Sequence, residues 1–285
     1  MSSLSRFAPP LFVVLWSTGF IGAKLGLPDC EPLTLLSLRY ACVLALMGAV
    51  ALVTRAPWPA DRRQWLHIGV SGLLVHAVYL GGVFTAIRLG LPAGVTALVV
   101  GLQPVLTALG AGLVLREHVR ATQWAGLALG LAGVVLVVAN KVAGGPSTAA
   151  LLVPAVVALL GITVGTLYQK RFCGGFDLRT GSVIQFLPCL VVTAFAAWRT
   201  ETMVIHWTPA FTFALVWLVL VLSVGAVSLL NMLIRSGSAV NVASLFYLTP
   251  PTTALIAWAM FDETLTGLAL GGMALAVLGV WLARK

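Results

Sequence analysis

AGVTALVVGLQPVLTALGAGLVLREHVRATQWAGLALGLAGVVL, residues 93–136, and AVNVASLFYLTPPTTALIAWAMFDETLTGLALGGMALAVLGVWL, residues 239–282, decide the reading of this chain. At an offset of 146 the two stretches are identical at fifteen of 44 positions. Among them are Pro104 on Pro250, Thr107 on Thr253, Glu117 on Glu263, Gly126 on Gly272 and Gly133 on Gly279. Apolar composition alone produces chance Ala and Leu matches, but it does not produce a shared Pro, Glu and Gly pattern. The same offset sets Gly19 on Gly165 and Lys24 on Lys170, and Ile87-Arg88-Leu89-Gly90 falls on Ile234-Arg235-Ser236-Gly237 one residue out of step. An internal duplication is the reading.

What kind of unit is duplicated follows from composition. Of 285 residues, 60% are hydrophobic and 9% charged, with a mean hydropathy of +1.05; a typical soluble domain is about 25% charged. Long apolar runs follow one another with gaps of a few residues. A net charge of +9 would suggest nucleic acid in a soluble protein, but these basic residues sit singly at the ends of apolar runs and read as topology signals. The cysteines Cys30, Cys42, Cys173 and Cys189 have no CxxC spacing, so neither a disulfide framework nor a metal site is indicated, and no cofactor is expected. The first run lacks an A-x-A cleavage pattern and resembles a retained span.

A bilayer core about 30 Å thick needs roughly 20 apolar residues of helix. Spans are expected at 8–27, 33–54, 66–87, 92–115, 122–139, 149–169, 179–198, 211–234, 239–261 and 267–283. Pro28 to Pro32, Pro57-Trp58-Pro59, Gly90-Leu91-Pro92, Gly144-Gly145-Pro146 and Gly174-Gly175 supply the breaks. Twelve basic residues then fall on the side of the N-terminus (Arg6, Arg55, Arg62, Arg63, Arg116, Arg120, Lys170, Arg171, Arg179, Arg235, Arg284, Lys285) and four on the other (Lys24, Arg88, Lys141, Arg199). That asymmetry places both termini in the cytoplasm. The expected fold is an all-α integral membrane protein of ten transmembrane helices. It forms one membrane domain of two inverted five-helix repeats, residues 1–143 and 147–285. With an odd number of helices per repeat, the second copy enters the membrane from the opposite face. That architecture recurs in transporters with a midplane substrate site.

Leu15-Trp16-Ser17-Thr18-Gly19-Phe20 with Lys24, Arg39, Gln103-Pro104 with Glu117 and Gly126, and Thr249-Pro250 with Glu263 and Gly272 resemble the drug/metabolite transporter superfamily, specifically its EamA-type members. The resemblance covers nearly the whole chain and is strongest to the YddG-like amino-acid and metabolite exporters. The usual first-helix W-G-S-N stands here as Trp16-Ser17-Thr18-Gly19, and Gln185 stands where the first copy has Arg39. This resemblance implies a multi-pass protein of the bacterial inner membrane that moves amino acids outward, aromatic ones included.

Polar residues deep in lipid are costly and are expected to face a partner or a wet cavity. Trp16, His76, Tyr79, Gln103, Gln185, Tyr247 and Thr249 are the expected substrate contacts, and the tandem Pro250-Pro251 the expected hinge in the ninth span. His76 and Tyr79, three apart, share a helical face; hydrogen bonding to a neighbouring helix is the plainer reading of the histidine. Gln103 could equally cap the carbonyl freed by Pro104. Arg39, about two turns into its helix, should find carbonyls or an aromatic face, and could attract a carboxylate. Lys24 and Lys170 are expected to snorkel, Glu117 and Glu263 to cap the helices they precede. Gly126-xxx-Gly130 and Gly267-xxx-Gly271 are expected to serve helix packing, within the chain or in a dimer.

All eight acidic residues fall in loops or at span ends, so ion coupling should be weak, or carried by protons through His76. A secondary transporter exporting small metabolites by alternating access is the leading reading, with amino acids, aromatic and other apolar ones, favoured by the resemblance. Transport of other metabolites or drugs, an intramembrane enzyme and a channel stay open as alternatives. A lone histidine without a neighbouring carboxylate argues against an enzyme. The expected partners are a small-molecule substrate and the lipid bilayer, with no nucleic acid, and a monomer suffices.

Overall fold

The computed structural model describes residues 3–91, 96, 99–142, 149–261 and 265–284. The expected junction between the halves at 144–146, Pro92, Glu263 and the Lys24 side chain lie outside the described residues. The described chain is helical: α1 Ser3–Gly26, α2 Pro32–Val53, α3 Arg62–Arg88, α4 Gln103–Leu115, α5 Ala121–Val142, α6 Ala149–Phe172, α7 Leu178–Thr200 and α8 Pro209–Ser236. α9 runs Ala239–Ser244, tightens into a 3-10 turn at Leu245–Leu248 and resumes as Thr249–Phe261, and α10 is Gly267–Ala283. Six of these helices (α2, α3, α6, α7, α8 and α9) are long and apolar enough to cross a membrane; α1, α4, α5 and α10 contribute shorter apolar stretches.

The surface identifies the solvent. Val153, Val156, Val157, Leu160 and Val164 form an exposed stripe at helical spacing along α6, and Val191, Val192, Phe195 and Trp198 do the same on α7. Inside lie Ser17, Arg39, His76, Gln103, Gln185, Asn231 and Thr249. Water would select the reverse arrangement, whereas hydrocarbon outside forces polar groups inward.

Helix starts carry the expected chemistry. Asp61, Thr208, Ser238 and Thr266 each accept a backbone N–H of the helix they open. Asp177 accepts from Arg179 N at 2.9 Å and pairs with the Arg179 guanidinium at 2.6 Å, which holds its carboxyl down at about 2. Two carboxylates reach farther. Glu201, just after α7, accepts from Leu33 N, Thr34 N and the Thr34 hydroxyl at 2.7–2.8 Å, capping α2. Glu117 does not cap the helix it precedes; its carboxylate accepts from Ala239 N at 3.2 Å and caps α9. Lys170 does not snorkel either: its ammonium donates to the carbonyls of Ile234 and Gly237 at the end of α8. An orphan helix terminus is a stronger claim on a nearby charge than solvent a few ångströms farther off.

α5 and α10 touch through glycine. A Cβ on Gly133 would stand 2.6 Å from Gly272 O, and one on Gly279 would stand 2.7 Å from Gly126 O, both backbone atoms that cannot step aside. Gly272 and Gly279, not the expected Gly267 and Gly271, complete this seam; the latter two meet nothing within 4 Å. Four-residue spacing names small residues that share a face, but only helix rotation decides which of them meet a neighbour. Gly133→Val is expected to lower the unfolding temperature in detergent by an overpacking cost of about 1–3 kcal/mol, while Gly271→Val leaves it nearly unchanged; equal losses would contradict the seam.

Candidate functional site

Three helices bring aromatic rings to one point. Trp16 of α1 stacks on Tyr79 of α3, centroids 6.3 Å apart and 11° from parallel, and meets Phe246 of α9 edge-on at 5.4 Å. His76, one turn before Tyr79, stacks on Phe186 of α7 at 4.5 Å. Both His76 ring nitrogens are buried without a hydrogen-bond partner; Gln185 lies beside the ring but outside bonding geometry. The plainer sequence reading of His76, a histidine bonded to the next helix, is therefore not what is observed.

Trp16, His76 and Tyr79 line one cavity together with Gly19, Ala23, Arg39, Phe84, Ile87, Leu222 and Val227. Its interior holds about 40 Å³, room for a water or two, so a larger ligand requires the walls to part. The lining runs along α1 from Trp16 to Ala23 and along α3 from His76 to Ile87. It therefore points to the end of the bundle that carries the α1–α2 loop and Arg88.

Toward the other end the bundle is closed by amides. Gln169 Nε2 of α6 donates to Asn231 Oδ1 of α8 at 2.8 Å, Asn231 Nδ2 donates to Gln185 Oε1 of α7 at 3.1 Å, and Gln185 Nε2 donates to Ser71 Oγ of α3 at 3.2 Å. Ser71 is five residues below His76, about 7 Å along the axis. Beyond this chain of bonds, Lys170, Glu117 and Gln123 bind across the same end of the bundle.

The expected contacts thus divide. Gln185 belongs to the amide chain and not to the cavity wall. Gln103 and Tyr247 are fully buried, Thr249 is 5% exposed, and none of the three lines the cavity. Five buried polar atoms without partners among the described residues nevertheless fall on α4 and α9: Gln103 Nε2 and Oε1, Thr107 Oγ1, Tyr247 OH and Thr249 Oγ1. Each such atom left dry costs about 1–3 kcal/mol, which marks this pair as a second polar zone. Pro250 and Pro251 sit in the first turn of Thr249–Phe261, directly after the 3-10 turn, where their missing N–H groups disturb the helix least.

Arg39, read from sequence as able to attract a carboxylate but left out of the expected contact set, is marked by a lone charge inside an apolar span. Its Nε donates to Ser223 Oγ of α8 at 2.8 Å. A second feature missed is local: α3 and α8 widen into π-helical turns at Leu73–Val78 and Leu218–Ala226, the segments that hold His76 and Ser223. Such turns cluster at functional positions, and no residue pattern in the sequence announces them.

Residues 10–139 and, separately, 148–284 match the EamA-like transporter family. Relatives include a "Probable amino-acid metabolite efflux pump" of Salmonella typhimurium, 27% identical over 99% of this chain and 95% of its own. Another is a "Probable terminal-alkyne amino-acid exporter" of Streptantibioticus cattleyicolor, 27% identical over 99% of this chain and 94% of its own. A third is an uncharacterized inner membrane transporter of Escherichia coli K12, 25% identical over 95% and 88%. One solved crystal structure, 24% identical, has the same fold, with a TM-score of 0.80 over 99% of this chain and 97% of that chain.

The amide chain makes a direct prediction. Asn231→Leu strands Gln185 Oε1 and Gln169 Nε2, each at about 1–3 kcal/mol, and is expected to lower the unfolding temperature of the detergent-solubilised protein clearly. An unchanged temperature would mean that these bonds hold nothing.

Proposed function

Because the chain belongs to the EamA-like transporter family, we propose that it exports amino acids, chiefly those with aromatic or other apolar side chains, by alternating access through the Trp16–His76–Tyr79 cavity. It is a transporter and not an enzyme. The observation that carries this reading is the asymmetry of the cavity: aromatic walls directed to one end of the bundle, hydrogen-bonded amides across the other.

In this proposal the chain spans the bacterial inner membrane ten times, with both termini in the cytoplasm and inverted repeats at 1–143 and 147–285. One family match in each half supports the duplication. Contacts between alternate loops support the span count: Asp29, Glu31 and Glu201 join the α1–α2 and α7–α8 loops at one end, while Gln64, Thr180 and Arg235 join the α2–α3 and α6–α7 loops and the end of α8 at the other. The cavity then faces outward. At the offset of the third helices, 147, His76 corresponds to Ser223, so the Arg39–Ser223 crossing of α2 with α8 has its counterpart in the Gln185–His76 crossing of α7 with α3. A site at the axis between such crossings suits a carrier.

Opening inward requires the amide chain to part. Gln185 then becomes free to meet substrate, and Gln103, Tyr247 and Thr249 supply further polar contacts as α9 bends at Pro250-Pro251. One monomer contains the whole path. Transport of other metabolites is the second reading, suggested by the word metabolite in one relative's name.

Counterflow in proteoliposomes against a panel of labelled amino acids tests the proposal. Saturable exchange of apolar amino acids is expected, with Trp16→Ala lowering it about tenfold, the effect of roughly 1.4 kcal/mol. No exchange of any amino acid would overturn it. An imposed pH gradient is expected to drive little uphill uptake, and whatever it drives should vanish in His76→Ala; uphill uptake that survives that substitution contradicts the coupling expected here.

A further inference from the structure

Arg39 is a cation buried among the membrane-spanning helices. It is 3% exposed, inside α2, and lines the cavity. Its one hydrogen bond among the described residues uses Nε and the neutral Ser223 hydroxyl. Among the described residues that leaves the two terminal nitrogens of the guanidinium, four N–H donors, without an acceptor and beside the cavity. Among the described residues no carboxylate faces it: the charged and titratable groups acting on it are the phenols of Tyr40 and Tyr79 and, across the cavity, His76. A cation in that position is strongly unfavourable unless something pairs with it. Had its role been only to tie α2 to α8, a neutral side chain would bond Ser223 as well.

We infer that Arg39 is the anchor for the substrate's carboxylate, so that the transported species must be a carboxylate-bearing zwitterion and not merely an apolar amine. This assignment rests on the exporter reading and narrows it. The free edge of a guanidinium matches a carboxylate in a fork of two parallel bonds. Trp16 and Tyr79, which line the same cavity, offer π-faces to the ammonium group, and the apolar wall of Phe84, Ile87 and Leu222 receives the side chain. The corresponding position in the second half is Gln185, already engaged with Ser71 and Asn231, so the charge that recognises the carboxylate exists on one side of the path only.

The test uses the amino acid exchanged best in the counterflow panel and its carboxamide, which differ only at the carboxylate. Wild type is expected to take the amino acid at least about tenfold better, the scale of a charge-assisted hydrogen bond. R39Q should weaken the amino acid by a similar factor and level the two compounds, and S223A, which keeps the charge, should retain the preference. Equal competition by the carboxamide in wild type overturns the anchor while leaving amino-acid exchange in place. So does an R39Q protein that still prefers the acid, or an S223A protein that loses the preference as R39Q does. Should R39Q fail to fold, the wild-type comparison decides alone; absence of any amino-acid exchange overturns the anchor together with the exporter reading.

Discussion

Hydrocarbon accepts and donates no hydrogen bonds, so each polar side chain of this protein must find its partner inside the bundle or face a wet path through it. From that constraint follow the apolar outer stripes on α6 and α7, the glycine seam that brings α5 and α10 backbone to backbone, and the use of charged side chains as caps on other helices. Glu201 on α2, Glu117 on α9 and Lys170 on α8 each satisfy a helix end distant in sequence. The Glu201 and Glu117 caps tie the two halves of the chain together at its rims, where water can still assist, the Lys170 cap closes the second half on itself, and the middle is left to weaker contacts.

In the middle the polar side chains are mostly paired toward one end and mostly keep unpaired atoms elsewhere. Ser71, Gln185, Asn231 and Gln169 bond to one another and close one end, with Gln169 Oε1 the one atom of that chain buried without a partner among the described residues. Arg39, His76, Gln103, Tyr247 and Thr249 keep bonding capacity unused. A folded protein tolerates an unpaired polar atom where a ligand or water supplies the partner, so in the proposed carrier the unpaired groups would outline the path and the amide chain the barrier across it. Neutral amides suit a barrier that must open: breaking such a bond costs about 1 kcal/mol net, less than separating buried ions.

Much of this was legible from residues alone. The lengths of the apolar runs and the alternation of basic residues reflect the bilayer, which constrains both directly, whereas the matched Pro, Glu and Gly positions of 93–136 and 239–282 go beyond composition, and each half has its own family match. Trp16, His76 and Tyr79 were legible because aromatic and ionisable side chains at mid-span have few other uses. What sequence could not supply is rotation and pairing. It does not tell that Gly272 and not Gly271 meets α5, that Glu117 reaches α9, that Gln185 turns to Asn231 and away from the cavity, or that α3 and α8 widen into π turns beside His76 and Ser223. Each depends on which helices become neighbours, a property of the whole fold.

The central claim is that substrate occupies the space between Trp16, Arg39, His76 and Tyr79. Leu80 lines that space, whereas Leu113 is 86% exposed on the outer surface of α4. With the four native cysteines replaced by alanine, a Leu80→Cys variant in sealed vesicles should react with a membrane-impermeant thiol reagent, and the exchanged amino acid should slow that reaction while Leu113→Cys stays inert. Modification of Leu80→Cys at the same rate with and without saturating amino acid would contradict the account.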